Sequence, residues 1–271
     1  MELHNENISN PITLDFVKKN KDYINIINSF ILSYKKNNDT CTLAHIVNYV
    51  HKMCPELKYF YDENKNKFTS NRENDKGLLG KLVEFTLFGN LPNSSSSPDL
   101  EYADIKATHF KKMNKNDYNA KERLTITNVG KPENEDVIEY FQNKTILNDT
   151  KYYEKMKRGI IIVAEYEKDK VYKSSDDLLS KNILAVILYN LDELPNEERE
   201  IINNDYTKIR NCIISKCVSQ KGQQYLHIHK HGNKASNIRA LGFTNKFVTK
   251  LISFYLNLLL KKKGNSNFIT F

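Results

Sequence analysis

The chain has 271 residues, and its 41 lysines and arginines outnumber its 33 aspartates and glutamates to give a formal charge of +8. That excess favours a polyanionic partner, although lysine and asparagine richness also arises from an AT-rich genome. Cys41, Cys54, Cys212 and Cys217 form no CxxC pair, which argues against a zinc ribbon or a disulfide framework and for a reduced, cytoplasmic protein. The polar, acidic N-terminus is unlike a signal peptide, and no apolar run is long enough to span a bilayer.

Residues 12–35 carry Leu14, Phe16, Val17, Ile24, Ile27 and Ile31 at helical spacing, and a second helix is expected over 42–53. The charged stretch 61–74 reads as a loop that ends a helical extension, residues 1–71. A helix over 77–89 then has a broad apolar side (Leu78, Leu79, Leu82, Val83, Phe85, Leu87). Glu84 lies on a different stripe with Gly77, Gly80 and Lys81. Two helical glycines cost roughly 1 kcal/mol each against alanine. That cost makes sense where the backbone is approached closely by a sheet or a phosphodiester.

After Ser94, Ser95, Ser96, Ser97 and Pro98, Asp99 enters a strand expected over 100–108. Alternation places Asp104 and Lys106 on one face and Ala103, Ile105 and Ala107 on the other. Acid-x-Lys alone is common as a solvated pair in a lysine-rich chain. Preceded by a loop acid and a single helix-borne acid, it is how many nucleases build a magnesium site. The carboxylates hold the hard cation, while the lysine orients water and stabilises charge on the phosphate.

Residues 111–116 read as a basic hairpin-like loop, 123–129 as an alternating strand, and 160–163 and 183–188 as buried strands. A helix is expected over 194–217, with Pro195 in its first turn. His227, His229 and His231 alternate along a strand. They could bind zinc or copper, but no fourth ligand is nearby and Lys230 would repel a cation. Contacts to bases or phosphates suit the segment better, with Lys234 and Arg239 as candidate phosphate contacts. Lys261, Lys262 and Lys263 read as a helix C-terminus.

The order Gly77-x-x-Gly80-x-x-x-Glu84-x-x-x-x-Gly89, Pro98-Asp99 and Asp104-Ile105-Lys106-Ala107-Thr108 resembles the MutH-like family, which includes a mismatch-repair endonuclease and GATC-cutting type II restriction enzymes. Residues 153–158 resemble its second lysine element, 222–228 its late strand and 241–256 its C-terminal loop and helix, so the resemblance runs from about 72 to 260. It implies a catalytic set of Glu84, Asp99, Asp104, Lys106 and Lys155, with Asp99 and Asp104 holding Mg2+ and Mn2+ as a substitute. It places DNA contacts at His229, Lys230, His231, Lys234, Thr244, Asn245 and Lys246. Asp104 stands where the family more often has glutamate, the spacing from Asp99 is tighter, and Thr244 and His229 replace the family's tyrosine and arginine.

The expected fold is α/β and restriction-endonuclease-like, a central mixed sheet flanked by helices, with two lobes forming a DNA cleft. Residues 72–190 would be the catalytic lobe and 191–271 the recognition lobe. The expected function is Mg2+-dependent, sequence-specific cleavage of double-stranded DNA, with GATC favoured by resemblance alone. A homodimer on DNA and a cognate methyltransferase are the expected partners. The competing readings are a mismatch-repair nicking enzyme that needs an activating partner, and a non-catalytic DNA-binding regulator.

Overall fold

The computed structural model describes residues 11–37, 39–67, 77–91, 97–114, 116–168, 170, 172, 174–216, 221–232, 237–264 and 266–271. The chain opens with α1 (Leu14–Lys19), α2 (Asp22–Lys36), α3 (Leu43–Met53), α4 (Pro55–Asn64) and α5 (Leu78–Phe88). The helical stretch expected over 12–35 is therefore two helices. The break falls at Asn20, whose side chain turns to accept the Asp22 N–H at 2.9 Å. Helix α3 starts where expected, because Thr42 and His45 form a reciprocal capping box. The loop expected over 61–74 is corrected at 61–64, which belong to α4. Pro55 opens that helix, and its single buried residue, Leu57, leaves almost no apolar stripe to read.

The chain continues through β1 (Asp104–Lys112), β2 (Asp117–Ala120), β3 (Leu124–Gly130), α6 (Glu135–Asn143), α7 (Lys151–Met156), β4 (Arg158–Tyr166), α8 (Ser175–Leu179) and β5 (Ile183–Asn190). It ends with α9 (Asn196–Ile214), β6 (Leu226–Lys230), β7 (Arg239–Phe243), α10 (Asn245–Tyr255), β8 (Lys261–Lys263) and β9 (Ser266–Thr270). Lysines 261–263, expected at a helix end, instead form an edge strand paired with β9. Lys261 Nζ is held there by Asp117 Oδ1 at 3.0 Å and Thr270 Oγ1 at 2.9 Å.

The architecture is α/β, with a mixed six-stranded sheet ordered β5-β4-β1-β2-β9-β8 and a separate antiparallel sheet ordered β3-β7-β6. Strands β1 and β4 run parallel, with Asp104 opposite Gly159 and Lys106 opposite Ile161. Burial on both faces explains the continuous apolar run of β4. Ile160, Ile162 and Ala164 pack with α2, α3 and α5, while Ile161 and Val163 join Phe110, Tyr206, Phe243 and Phe247 in a second core. The helical extension thus shares a core with the central strands.

Strand β5 carries a bulge: Val163 opposes Ala185 and Ala164 opposes Ile183, so Leu184 and Ala185 both turn to the second core. The outer edge of β5 is plugged by side chains. Val186 N–H donates to Asn28 Oδ1 at 3.5 Å, and Tyr255 OH accepts from Asn190 N at 2.8 Å and donates to Asn190 O at 2.6 Å. Among the described residues no helix is long and apolar enough to cross a membrane.

Candidate active site

Helix α5 buries Leu78, Leu79, Leu82, Val83, Phe85 and Leu87 and leaves Glu84 half-buried at the margin of the core. It ends at Gly89, whose φ of 64° is a left-handed conformation that glycine adopts without strain. The Gly89 and Asn90 N–H groups both return to the Glu84 carbonyl, and Asn90 Nδ2 donates to Asp99 O at 2.9 Å. The end of α5 is thereby tied to the loop that carries Asp99. In turn Asp99 Oδ2 accepts the Ile105 N–H at 2.8 Å, which anchors the start of β1.

The strand expected from residue 100 begins only at Asp104. Leu100 N–H donates to Ala103 O at 3.0 Å, closing a turn that delivers Asp99 beside the strand. The shared face of Asp104 and Lys106 holds. The Asp104 side chain is 1% exposed, paired to Lys106 Nζ, and 3.6 Å from Lys155 Nζ. Lys155 comes from α7, where Thr150 caps the helix and Tyr152, Tyr153 and Met156 anchor it in the core. Its ammonium also donates to Ser97 O at 3.4 Å. The two lysines hold Asp104 by charge, since neither carboxylate oxygen has a well-aligned hydrogen bond among the described residues.

Burial pushes the Asp104 carboxyl up to about 6 and that of Glu84 up to about 7. At Glu84 the charge of Asp99 adds to the rise, Lys106 opposes it, Asp104 adds again and Lys155 opposes. The five residues expected to form the site therefore share one electrostatic environment, with three carboxyls against two ammonium groups.

Among the described residues no group of three or more His, Cys, Asp or Glu side chains stands ready to hold a metal ion. A cation that needs fewer side chains is the kind such a set could hold. Mg2+ is commonly held by one or two carboxylates and keeps several waters; the two buried Asp104 oxygens lack aligned hydrogen bonds, and a cation there would displace the Lys106 and Lys155 ammonium groups beside them. Asp99 and Asp104 are the residues that would hold it.

One participant is not evident from motif spacing. Tyr189, 1% exposed, lies on β5 opposite Gly159, the residue that also pairs with Asp104. A Cβ at Gly159 would come within 2.6 Å of the Tyr189 ring, so glycine there lets the ring fill the space behind the site. The only trace in the sequence is a glycine at the head of an apolar run. At Gly80, by contrast, the expected close approach of a sheet is corrected: among the described residues nothing outside its own helix lies within 4 Å of where a Cβ would stand.

The expected DNA-contacting residues divide into two groups. Lys230, His231, Asn245 and Lys246 are exposed; Thr244 caps α10, accepting from Phe247 N at 3.3 Å and donating to Gln224 O at 2.7 Å. His229 is 2% exposed and bonds Thr125 Oγ1 through Nε2 at 3.1 Å. It stacks on His227 with ring centroids 4.8 Å apart, so those two histidines do share a face. Burial, reinforced by Arg123, lowers the His227 ring to about 4 and the His229 ring to about 3, keeping both neutral. Arg239 is half-buried, and Lys234 lies outside the described residues.

Comparison with protein-family models finds no match to this chain, and comparison with curated proteins finds none either.

Proposed function

We propose that the chain is a Mg2+-dependent, sequence-specific endonuclease of double-stranded DNA, resembling type II restriction enzymes of the MutH-like family. The observation that carries this reading is the buried Asp104 carboxylate, set between Lys106 and Lys155 and sharing its field with Glu84 and Asp99. A solvated surface pair would have neither the burial nor the second lysine. The basic net charge and the resemblance over residues 72–260 agree with it.

In this reading Mg2+, when bound by Asp99 and Asp104, polarises the scissile phosphate and lowers the pKa of bound water. Lys106 orients the attacking water, and Lys155 places positive charge against the phosphate. Glu84, poised near neutrality, can hold or release a proton at its carboxyl oxygens. In-line attack leaves a 5′-phosphate and a 3′-hydroxyl. The finer architecture we infer is restriction-endonuclease-like, with two lobes around the duplex, acting in the cytoplasm, as a homodimer on DNA and alongside a cognate methyltransferase.

The test is incubation of the purified protein with unmethylated plasmid and Mg2+, followed by sequencing of the ends. Double-strand cuts at one short site are expected, and Asp104→Asn abolishes cleavage while retaining DNA binding. Nicking only in the presence of a second protein would favour the mismatch-repair reading. Full cleavage by Asp104→Asn removes the assignment.

A further inference from the structure

A second polar concavity lies between the start of β3 and the start of α10, lined by Glu122, Arg123, His227, Thr244 and Asn245. Three of its features point to an anion. Arg123 is exposed and makes no hydrogen bond or ion pair among the described residues. The eleven-residue helix α10 contributes its N-cap Thr244 and first residue Asn245, placing the positive end of its dipole at the concavity. His227 is 8% exposed, yet its Nε2 is buried with no partner among the described residues. A buried imidazole nitrogen without a partner costs free energy, so it calls for a water or a ligand atom.

The ring of His227 is also held in place. It stacks on His229, which Thr125 fixes by a hydrogen bond, and His229 in turn lies over Gly242. A Cβ at Gly242 would stand 3.0 Å from His229 Cε1 and 2.6 Å from the Leu124 carbonyl oxygen. Glycine is thus what allows the His229 ring, on which His227 stacks, to lie across the small sheet.

We infer that this concavity is a phosphodiester-binding subsite for DNA, in which Arg123 and the Asn245 N–H take the phosphate oxygens, the next two N–H groups of α10 being capped by Asn245 Oδ1 and Thr244 Oγ1, and His227 donates from Nε2. The inference rests on the nuclease reading and adds Arg123 and His227 to its DNA-contacting residues. A neutral imidazole suits the role, since it donates one hydrogen bond without adding charge. Glu122 on the rim lies 4.0 Å from His109 Nδ1 and makes a dianion less welcome than the single charge of a diester.

The experiment measures binding of a short duplex by fluorescence anisotropy across a salt series. It uses the full chain carrying Asp104→Asn, so that the DNA stays intact. Adding Arg123→Ala is expected to weaken binding by about tenfold at low salt and to reduce the slope of log K against log salt by about one. Adding His227→Phe is expected to weaken binding several-fold at an unchanged slope. In the otherwise native chain, Arg123→Ala is expected to raise KM by a larger factor than it lowers kcat. Unchanged affinity and slope with Arg123→Ala overturn the subsite and leave the nuclease reading standing. Absence of any DNA binding removes both. Selective competition by inorganic phosphate at matched ionic strength, with Arg123→Ala still binding DNA normally, would assign the concavity to free phosphate and overturn the diester assignment.

Discussion

Replacing Glu84 by glutamine should stabilise the protein at alkaline pH and change little in acid. The Glu84 carboxyl is held near 7 rather than at its ordinary 4.5, chiefly by burial and then by Asp99. The folded state therefore binds a proton more tightly than the unfolded chain, and ionisation is the unfavourable event. Below about pH 4.5 the group is protonated in both states and contributes no penalty. As pH rises towards and through 7 the penalty grows to its full size. Discounted for partial exposure, it amounts to about 1–3 kcal/mol. Urea unfolding of the wild type and Glu84→Gln at pH 4.5 and pH 8 would show the variant more stable by about that amount only at the higher pH, with equal m-values. Added MgCl2 should stabilise both proteins by mass action and narrow the gap, because ionised Glu84 adds negative charge beside Asp99 and Asp104 that glutamine lacks. A pH-independent difference, or a variant less stable at pH 8, would refute the argument that Glu84 is a strained acid in a charged site.

Gly159→Ala drives a Cβ against the Tyr189 ring and should cost about 1–3 kcal/mol by urea unfolding, with a larger fractional loss of the proposed cleavage because Asp104 is the paired residue. Asp205 is fully buried and accepts N–H groups from Gln224, Tyr225 and Leu226, so Asp205→Ala should cost about 2–4 kcal/mol and lower the thermal midpoint measured by circular dichroism. Cys41 is 2% exposed and its thiol is pushed up to about 12 by burial, so mass spectrometry should find it unalkylated by iodoacetamide in the native protein and modified in urea.

Much of the framework was legible because its signals are local. Thr42 announces α3, Gly89 closes α5, and the apolar runs of β4 and β5 read as buried strands. The shared face of Asp104 and Lys106 follows from strand period alone. What escaped depends on distant partners. Lysines 261–263 are a strand because β9 reaches β2, with Asp117 opposite Thr270, a pairing across some 150 residues that charge patterning cannot announce. Helix α4 escaped because it buries only Leu57, and the early start assigned to β1 missed a turn closed by the Leu100 and Ala103 backbones. His229 was expected to face DNA, and its partner Thr125 lies on another strand, so its inward hydrogen bond had no sequence signature.

The two margins of the larger sheet are guarded by opposite means. At one, Asn28 and Tyr255 already occupy backbone groups of Val186 and Asn190 that an incoming chain would need. At the other, three consecutive lysines would confront their own copies. Neither rim welcomes the ribbon-to-ribbon growth that leads from a folded protein to a fibre. If two molecules of this chain meet across a duplex, as the proposed nuclease would, the meeting is more readily made by helices and loops, which can part again more easily than paired strands.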